Sequence, residues 1–247
     1  TLESIDFVTV NNTYFSEYRN LLISLVDKSE SDDCHCTIDV TGDDFPELPG
    51  AKDAITHLST AGVTVALGHT NGNFGDAALG TNAGATVITH FMNGMDKGLN
   101  EASFASFVIA DERLVVELIL DGHHVSFGTA KEIYTAVGHR LIFVTDAMAA
   151  AGAGDGNYTI GKLGVTVQDS VARLESNGAL AGSTLTMDRA FLNAINKCGV
   201  SVEQAVSITS TNPATALGLK DRGQIAVGMR ADLLSYDSSS GSITVIS

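Results

Sequence analysis

Residues 63–95 read VTVALGHTNGNFGDAALGTNAGATVITHFMNGM, and this stretch constrains the fold more than any other part of the chain. Two short β-type runs, VTVALG and ATVIT, each end in a histidine, His69 and His90. Small residues of helical character, DAALGTNAG, lie between them. A strand, a crossover helix and a second strand make a βαβ unit with parallel strands. Both imidazoles then stand on the same rim of the sheet.

The rest of the chain repeats this pattern. IDFVTV is strand-like, with Glu3 just before it, and YRNLLISLVDK spaces its apolar residues as a helix does. CHCTIDVTG is β-like and stops at an acidic turn. PGAKDAITHLSTAG reads as an amphipathic helix, with Pro49 near its start and Gly62 past its end. After His90, FMNGMDKGLNEAS is loop-like and FASFVIA is apolar. Residues 114–120 read as a buried strand ending at Asp121, HVSFGTAKEIYTAVG as a helix, and LIFVT as a strand ending at Asp146. Nearly continuous Val, Ile and Leu runs mark parallel strands buried on both faces. The expected class is α/β, a (β/α)8 TIM-type barrel whose functional residues gather at the carboxyl ends of the strands.

Beyond residue 157 the pattern changes. YTIGKLGVTVQDSVARLES alternates as one or two hairpins. LTMDRAFLNAINKCG and SVEQAVSITSTNPATALG read as two helices, the first closed by Gly199 and the second by the NP turn. The tail gives two short strands around a Ser/Gly turn, as at one edge of a small β-sandwich. Residues 1–220 are thus assigned to the barrel and 221–247 to C-terminal sandwich strands. If Asp146 ends strand eight, then CTIDV is strand four and the TLE start lies on strand three. Strands one and two are missing from this reading, and the chain begins without Met. The expectation is a longer polypeptide, or completion by another chain.

A formal charge of −15, from 29 acidic and 14 basic residues, argues against nucleic acid or an anionic membrane as partner. No run of 18 apolar residues and no signal-peptide pattern is present. Three cysteines are too few for a disulfide framework, and the C-x-C pair Cys34 and Cys36 on a strand faces opposite sides. A reduced, cytoplasmic protein is expected.

His69, His90 and Asp146 terminate three separate apolar runs. Imidazoles suit Zn²⁺, and a carboxylate can take a proton from a bound water. Each residue also has an ordinary reading, a turn or packing role for the histidines and a helix N-cap for the aspartate. His35, His57 and His139 read as packing or capping residues, and Cys198 as a small buried apolar one.

The segments GHTNG, THFMNGM, DGHHV, VTDAMAAAG, LAGSTLTM, NPATALGL and GQIAVGMRADLL occur in this order. Together they resemble the N-acetylglucosamine-6-phosphate deacetylases of the amidohydrolase superfamily, over about residues 62–234. That resemblance implies a metal-dependent barrel beside a β-sandwich, with hydrolysis of the sugar acetamide to glucosamine 6-phosphate and acetate. It implies His69 and His90 as ligands of a divalent metal, Zn²⁺ above all, and Asp146 as general base and acid. It implies Asn93 and Gly94 as substrate contacts, together with the stretch Asp121, Gly122, His123 and His124 and the loop Leu180, Ala181 and Gly182. Within the stretch His124 meets the phosphate and His123 faces away. It also implies a homodimer acting on a small amino-sugar substrate.

Some positions depart from the family pattern. Its glutamate ligand lies in an HLEGP-type motif, and Glu3, 66 residues before His69, is the candidate without the flanking His, Gly and Pro. The family's phosphate-binding Arg corresponds to Asn100, and its substrate-binding His falls near Tyr14 or Phe15. Losing a fork-shaped cation weakens the grip on phosphate. An amidohydrolase for an unphosphorylated or different N-acyl sugar, or an inactive sugar-binding relative, is the alternative.

Overall fold

The computed structural model describes residues 37–41 and 50–246 and divides into two units between Glu117 and Leu118. In the first, β1 (Thr37–Thr41), β2 (Thr64–Gly68), β3 (Val87–Ile88) and β4 (Val115–Leu118) lie side by side in that order, all parallel. The helices α1 (Ala51–Thr60), α2 (Phe74–Ala83) and α3 (Phe104–Ala110) provide the crossovers. Val65, Ala66 and Leu67 of β2 are fully buried, as a parallel strand covered on both faces requires.

The local chemistry sets the element ends. Asn73 caps α2 by accepting from Gly75 N–H (2.7 Å) and Asp76 N–H (3.3 Å), while the Asp76 carboxylate accepts from Asn73 N–H (2.9 Å). This capping box starts the helix two residues before the DAALGTNAG segment. FASFVIA, left unassigned above, is helical because the Ser103 hydroxyl accepts from Ser106 N–H at its head. The run ATVIT keeps only Val87–Ile88 as strand, and Thr89 and His90 already turn away.

In the second unit, α4 (Phe127–Val137) and a 3₁₀ turn (Gly138–Arg140) lead into β5 (Leu141–Phe143). The alternating segment forms an antiparallel meander of β6 (Gly156–Ile160), β7 (Leu163–Gln168) and β8 (Val171–Leu174), the two-hairpin form of the expectation. Ala150, Val165, Val167, Ala172 and Ala181 make a small core beneath it. Helix α5 (Met187–Cys198) ends at Gly199 in the left-handed region, as expected.

The NP turn does not close the next helix. α6 (Val202–Val206) runs through a π-helical segment (Ser207–Thr211) into α7 (Asn212–Ala216), with Pro213 in its first turn. Proline lacks an N–H and its ring crowds the carbonyl one turn back; the wider π segment accommodates both, so the chain stays helical. β9 (Leu234–Asp237) and β10 (Ser242–Val245) form the expected antiparallel pair. His57 and His139 are exposed, so neither packs in the core, whereas Cys198 is buried, which pushes its thiol upward.

Candidate active site

In the first unit the two histidines meet. His69 and His90 lie just beyond β2 and β3, their Nε2 atoms 2.9 Å apart and their rings edge-on at 75°. Both backbones are left-handed, with φ of 49° and 29°. Among the described residues only four other non-glycines share that region: Met92, Asp146, Asp169 and Ser170. Asp169 and Ser170 make the tight β7–β8 turn, where the twist of a hairpin favours positive φ. Strain at His69, His90 and Asp146 serves no hairpin, and such outliers gather at functional sites.

Each partner of the pair has its own support. The Glu117 carboxylate accepts from His90 N–H (3.2 Å), and the Glu117 carbonyl accepts from Phe91 N–H (2.7 Å). Asn93 donates its side-chain amide to the carbonyls of His90 (3.1 Å) and Phe91 (3.3 Å). Gly94, at φ 59°, backs directly onto His69; a Cβ there would stand 2.6 Å from its Nδ1. Only glycine combines that backbone with that approach.

The donor set fits a metal ion. Two nitrogens bound to one ion at about 2.0–2.1 Å stand roughly 2.8–3.0 Å apart at a right angle and about 3.3–3.4 Å apart in a tetrahedral arrangement. The His69–His90 spacing of 2.9 Å matches the right-angled separation, and a tetrahedral ion needs the rings to part by about 0.4 Å. Among the described residues no group of three or more metal-capable side chains stands together. Glu3, the third ligand the resemblance implies, lies outside the described residues, as do Tyr14 and Phe15.

The second unit holds the remaining candidates. Asp146 follows β5, is exposed and caps no described helix, against its ordinary reading. The loop of Leu180, Ala181 and Gly182 is laced to the strands beside it. Leu180 bridges Arg173, Ala181 N–H donates to Ala172 O (3.2 Å), and a Cβ on Gly182 would lie 3.1 Å from Asp146 O.

Asp121 faces His124. Its carboxylate accepts from the N–H groups of His123 (2.8 Å) and His124 (2.9 Å) and from His124 Nδ1 (2.7 Å). Burial pushes the Asp121 carboxyl up, but the bonds from the His124 ring and from both N–H groups outweigh it and hold it below the usual carboxylate range. An ionised carboxylate only accepts, so the His124 proton sits on Nδ1. Gly122 supplies the left-handed turn of this stretch, His124 is buried, and His123 is exposed.

Two supports escaped the sequence reading. Glu117 carried a signal, a lone charge inside the apolar run LVVELIL, whereas Ser183 beside Gly182 looked like any loop serine.

Comparison with known proteins matches the amidohydrolase family over residues 177–245. An N-acetylglucosamine-6-phosphate deacetylase of Vibrio furnissii is 36% identical over 196 residues, spanning 78% of this chain and 49% of that protein. Over these stretches the chain is similar to the amidohydrolase family. Within that family an N-acetylgalactosamine-6-phosphate deacetylase of Escherichia coli O157:H7 is 37% identical over 196 residues, 78% of this chain and 52% of that protein. The chain thus spans about half the length of the relatives it matches. A Mycobacterium smegmatis N-acetyl-D-glucosamine-6-phosphate deacetylase variant, solved with N-acetyl-D-glucosamine-6-phosphate, superposes with a TM-score of 0.78 at 38% identity, over 85% of this chain and 55% of that one. The Thermotoga maritima deacetylase gives 0.76 at 32% identity, over 85% and 56%. No helix among the described residues is long and apolar enough to cross a membrane.

Proposed function

We propose that this protein is an amidohydrolase and hydrolyses the acetamide of an N-acetylated amino-sugar 6-phosphate, N-acetylglucosamine 6-phosphate first, to the free amine and acetate. The observation that carries this is the His69–His90 pair, two Nε2 atoms 2.9 Å apart on strained backbones at neighbouring strand ends. In this reading a (β/α)8 barrel holds the site, residues 221–247 contribute strands to a small β-sandwich, and the protein acts as a cytoplasmic homodimer.

His69 and His90, with Glu3 as the third ligand, would hold a divalent ion, Zn²⁺ by the preference of imidazole donors. When bound, it polarises the amide carbonyl and acidifies a water. Asp146 takes the proton of that attacking water and delivers it to the departing amine, as a general base and then a general acid. Asn93, Gly94 and the loop of Leu180, Ala181 and Gly182 shape the sugar site, Asn93 by holding the turn after His90. Asp121, Gly122 and His123 present His124 toward the phosphate. With Nδ1–H given to Asp121, His124 donates from Nε2 only as an imidazolium.

A second reading, an unphosphorylated or different N-acyl sugar, is favoured by Asn100. Its carboxamide oxygen accepts from Ala102 N–H (3.0 Å) and its carbonyl from Ser103 N–H (2.9 Å), so it shapes the turn before α3. Acetate release is to be measured on N-acetylglucosamine 6-phosphate, N-acetylgalactosamine 6-phosphate and N-acetylglucosamine. The first reading expects at least a 100-fold preference for a phosphorylated sugar. Equal rates favour the second, and no release from any of the three refutes the first.

A further inference from the structure

Ser183 is 2% exposed, and every hydrogen-bonding group it carries is engaged. Its N–H donates to Asp146 O (2.7 Å), and its carbonyl accepts from Met148 N–H (2.9 Å). Its hydroxyl donates to Thr145 O and accepts from Leu185 N–H (3.0 Å). Ala147 and Ser183 form an isolated parallel bridge. Residues 145, 146 and 148 are thus tied to one residue, directly after the loop of Leu180, Ala181 and Gly182. Asp146 at the centre sits at φ 48°, a conformation that persists only where its surroundings over-determine it.

We propose that Ser183 is the positioning residue for Asp146, and that through it the substrate loop and Asp146 act as one body. The proposal rests on the reading of Asp146 as general base. Proton transfer needs Asp146 within hydrogen-bond reach of the water it serves. A displacement of about 1 Å costs on the order of 100-fold in rate. Ser183→Ala keeps both main-chain bonds and loses both hydroxyl bonds, including the one to Thr145 O immediately before Asp146. Because the hydroxyl acts on the base, its loss falls on kcat and spares KM.

The test compares wild type, Ser183→Ala, Asp146→Asn and the double variant of the intact, zinc-loaded protein on N-acetylglucosamine 6-phosphate. Ser183→Ala is expected to lower kcat about 100-fold with KM within about threefold, and to cause no further loss in the Asp146→Asn background. An unchanged kcat overturns the proposal, and so does an equal loss in both backgrounds, the mark of a merely structural role. Asp146→Asn with wild-type kcat refutes Asp146 as base, and this proposal with it. If Ser183→Ala does not fold, Ser183→Cys, a similar volume with a weak donor, is expected to show the same split to a smaller degree. Hydrogen exchange at Leu185 N–H, which loses its acceptor with the hydroxyl, reads the tie without turnover. It should quicken in Ser183→Ala, and unchanged protection overturns the proposal.

Discussion

Gly94→Ala would place a methyl group 2.6 Å from Nδ1 of His69, 2.9 Å from Cγ and 3.0 Å from Cε1. Ordinary contact begins near 3.4 Å, so the ring must retreat by about 0.8 Å, the difference between the two distances. The left-handed backbone at φ 59° adds roughly 1–2 kcal/mol for any residue with a Cβ. Gly62 has φ 84° and nothing within 4 Å of a Cβ, so Gly62→Ala carries the backbone cost alone. Gly62→Ala should therefore lose about 2–8 °C in Tm, and Gly94→Ala at least as much. Only Gly94→Ala should also weaken zinc binding, about 10- to 100-fold, as losing a group that orients a ligand does. Competitive titration against a chelator reads the affinity, and thermal unfolding reads the shared cost. Equal zinc affinity in the two variants would refute the assignment of His69 as a ligand seated by Gly94.

Asp121 is held below the usual carboxylate range, so it stabilises the fold above its unfolded value of about 3.9 and stops doing so as pH falls through the lower folded value. Asp121→Asn should lower Tm at pH 7, with the two curves converging in acid; a gap that persists at all pH values contradicts this. Asn212 donates its amide to the carbonyl of fully buried Leu141 (2.9 Å). Asn212→Ala should cost about 1–3 kcal/mol in urea unfolding, and no loss refutes the anchor. Asn100→Arg should lower KM for the phosphorylated sugar by roughly tenfold through a charge-assisted bond; unchanged KM would argue against phosphate at that loop.

Much of this was legible in the sequence because burial and periodicity write themselves into residue type. The two histidine-ended runs, the helix before Gly62 and the meander all follow from spacing and turn residues. Elements that depend on competition between neighbours did not. Pro213 looked like a stop, yet a π segment absorbs its missing donor. Asn73 moved the start of α2 because its cap outranks the apolar pattern. The left-handed φ at His69, His90 and Asp146 could not be read from residue type: His and Asp, like Asn, are enriched in that region, yet most His and Asp residues lie outside it. Ser183 was invisible for a related reason: its importance lies in what it ties together, and a serine in a loop reads the same wherever its hydroxyl points.

Anomalous diffraction at the zinc edge from crystals of the intact, zinc-loaded protein tests the central claim most directly. A peak bonded to Nε2 of both His69 and His90 at about 2.0–2.1 Å is expected. A fully loaded protein whose zinc touches neither histidine would contradict it.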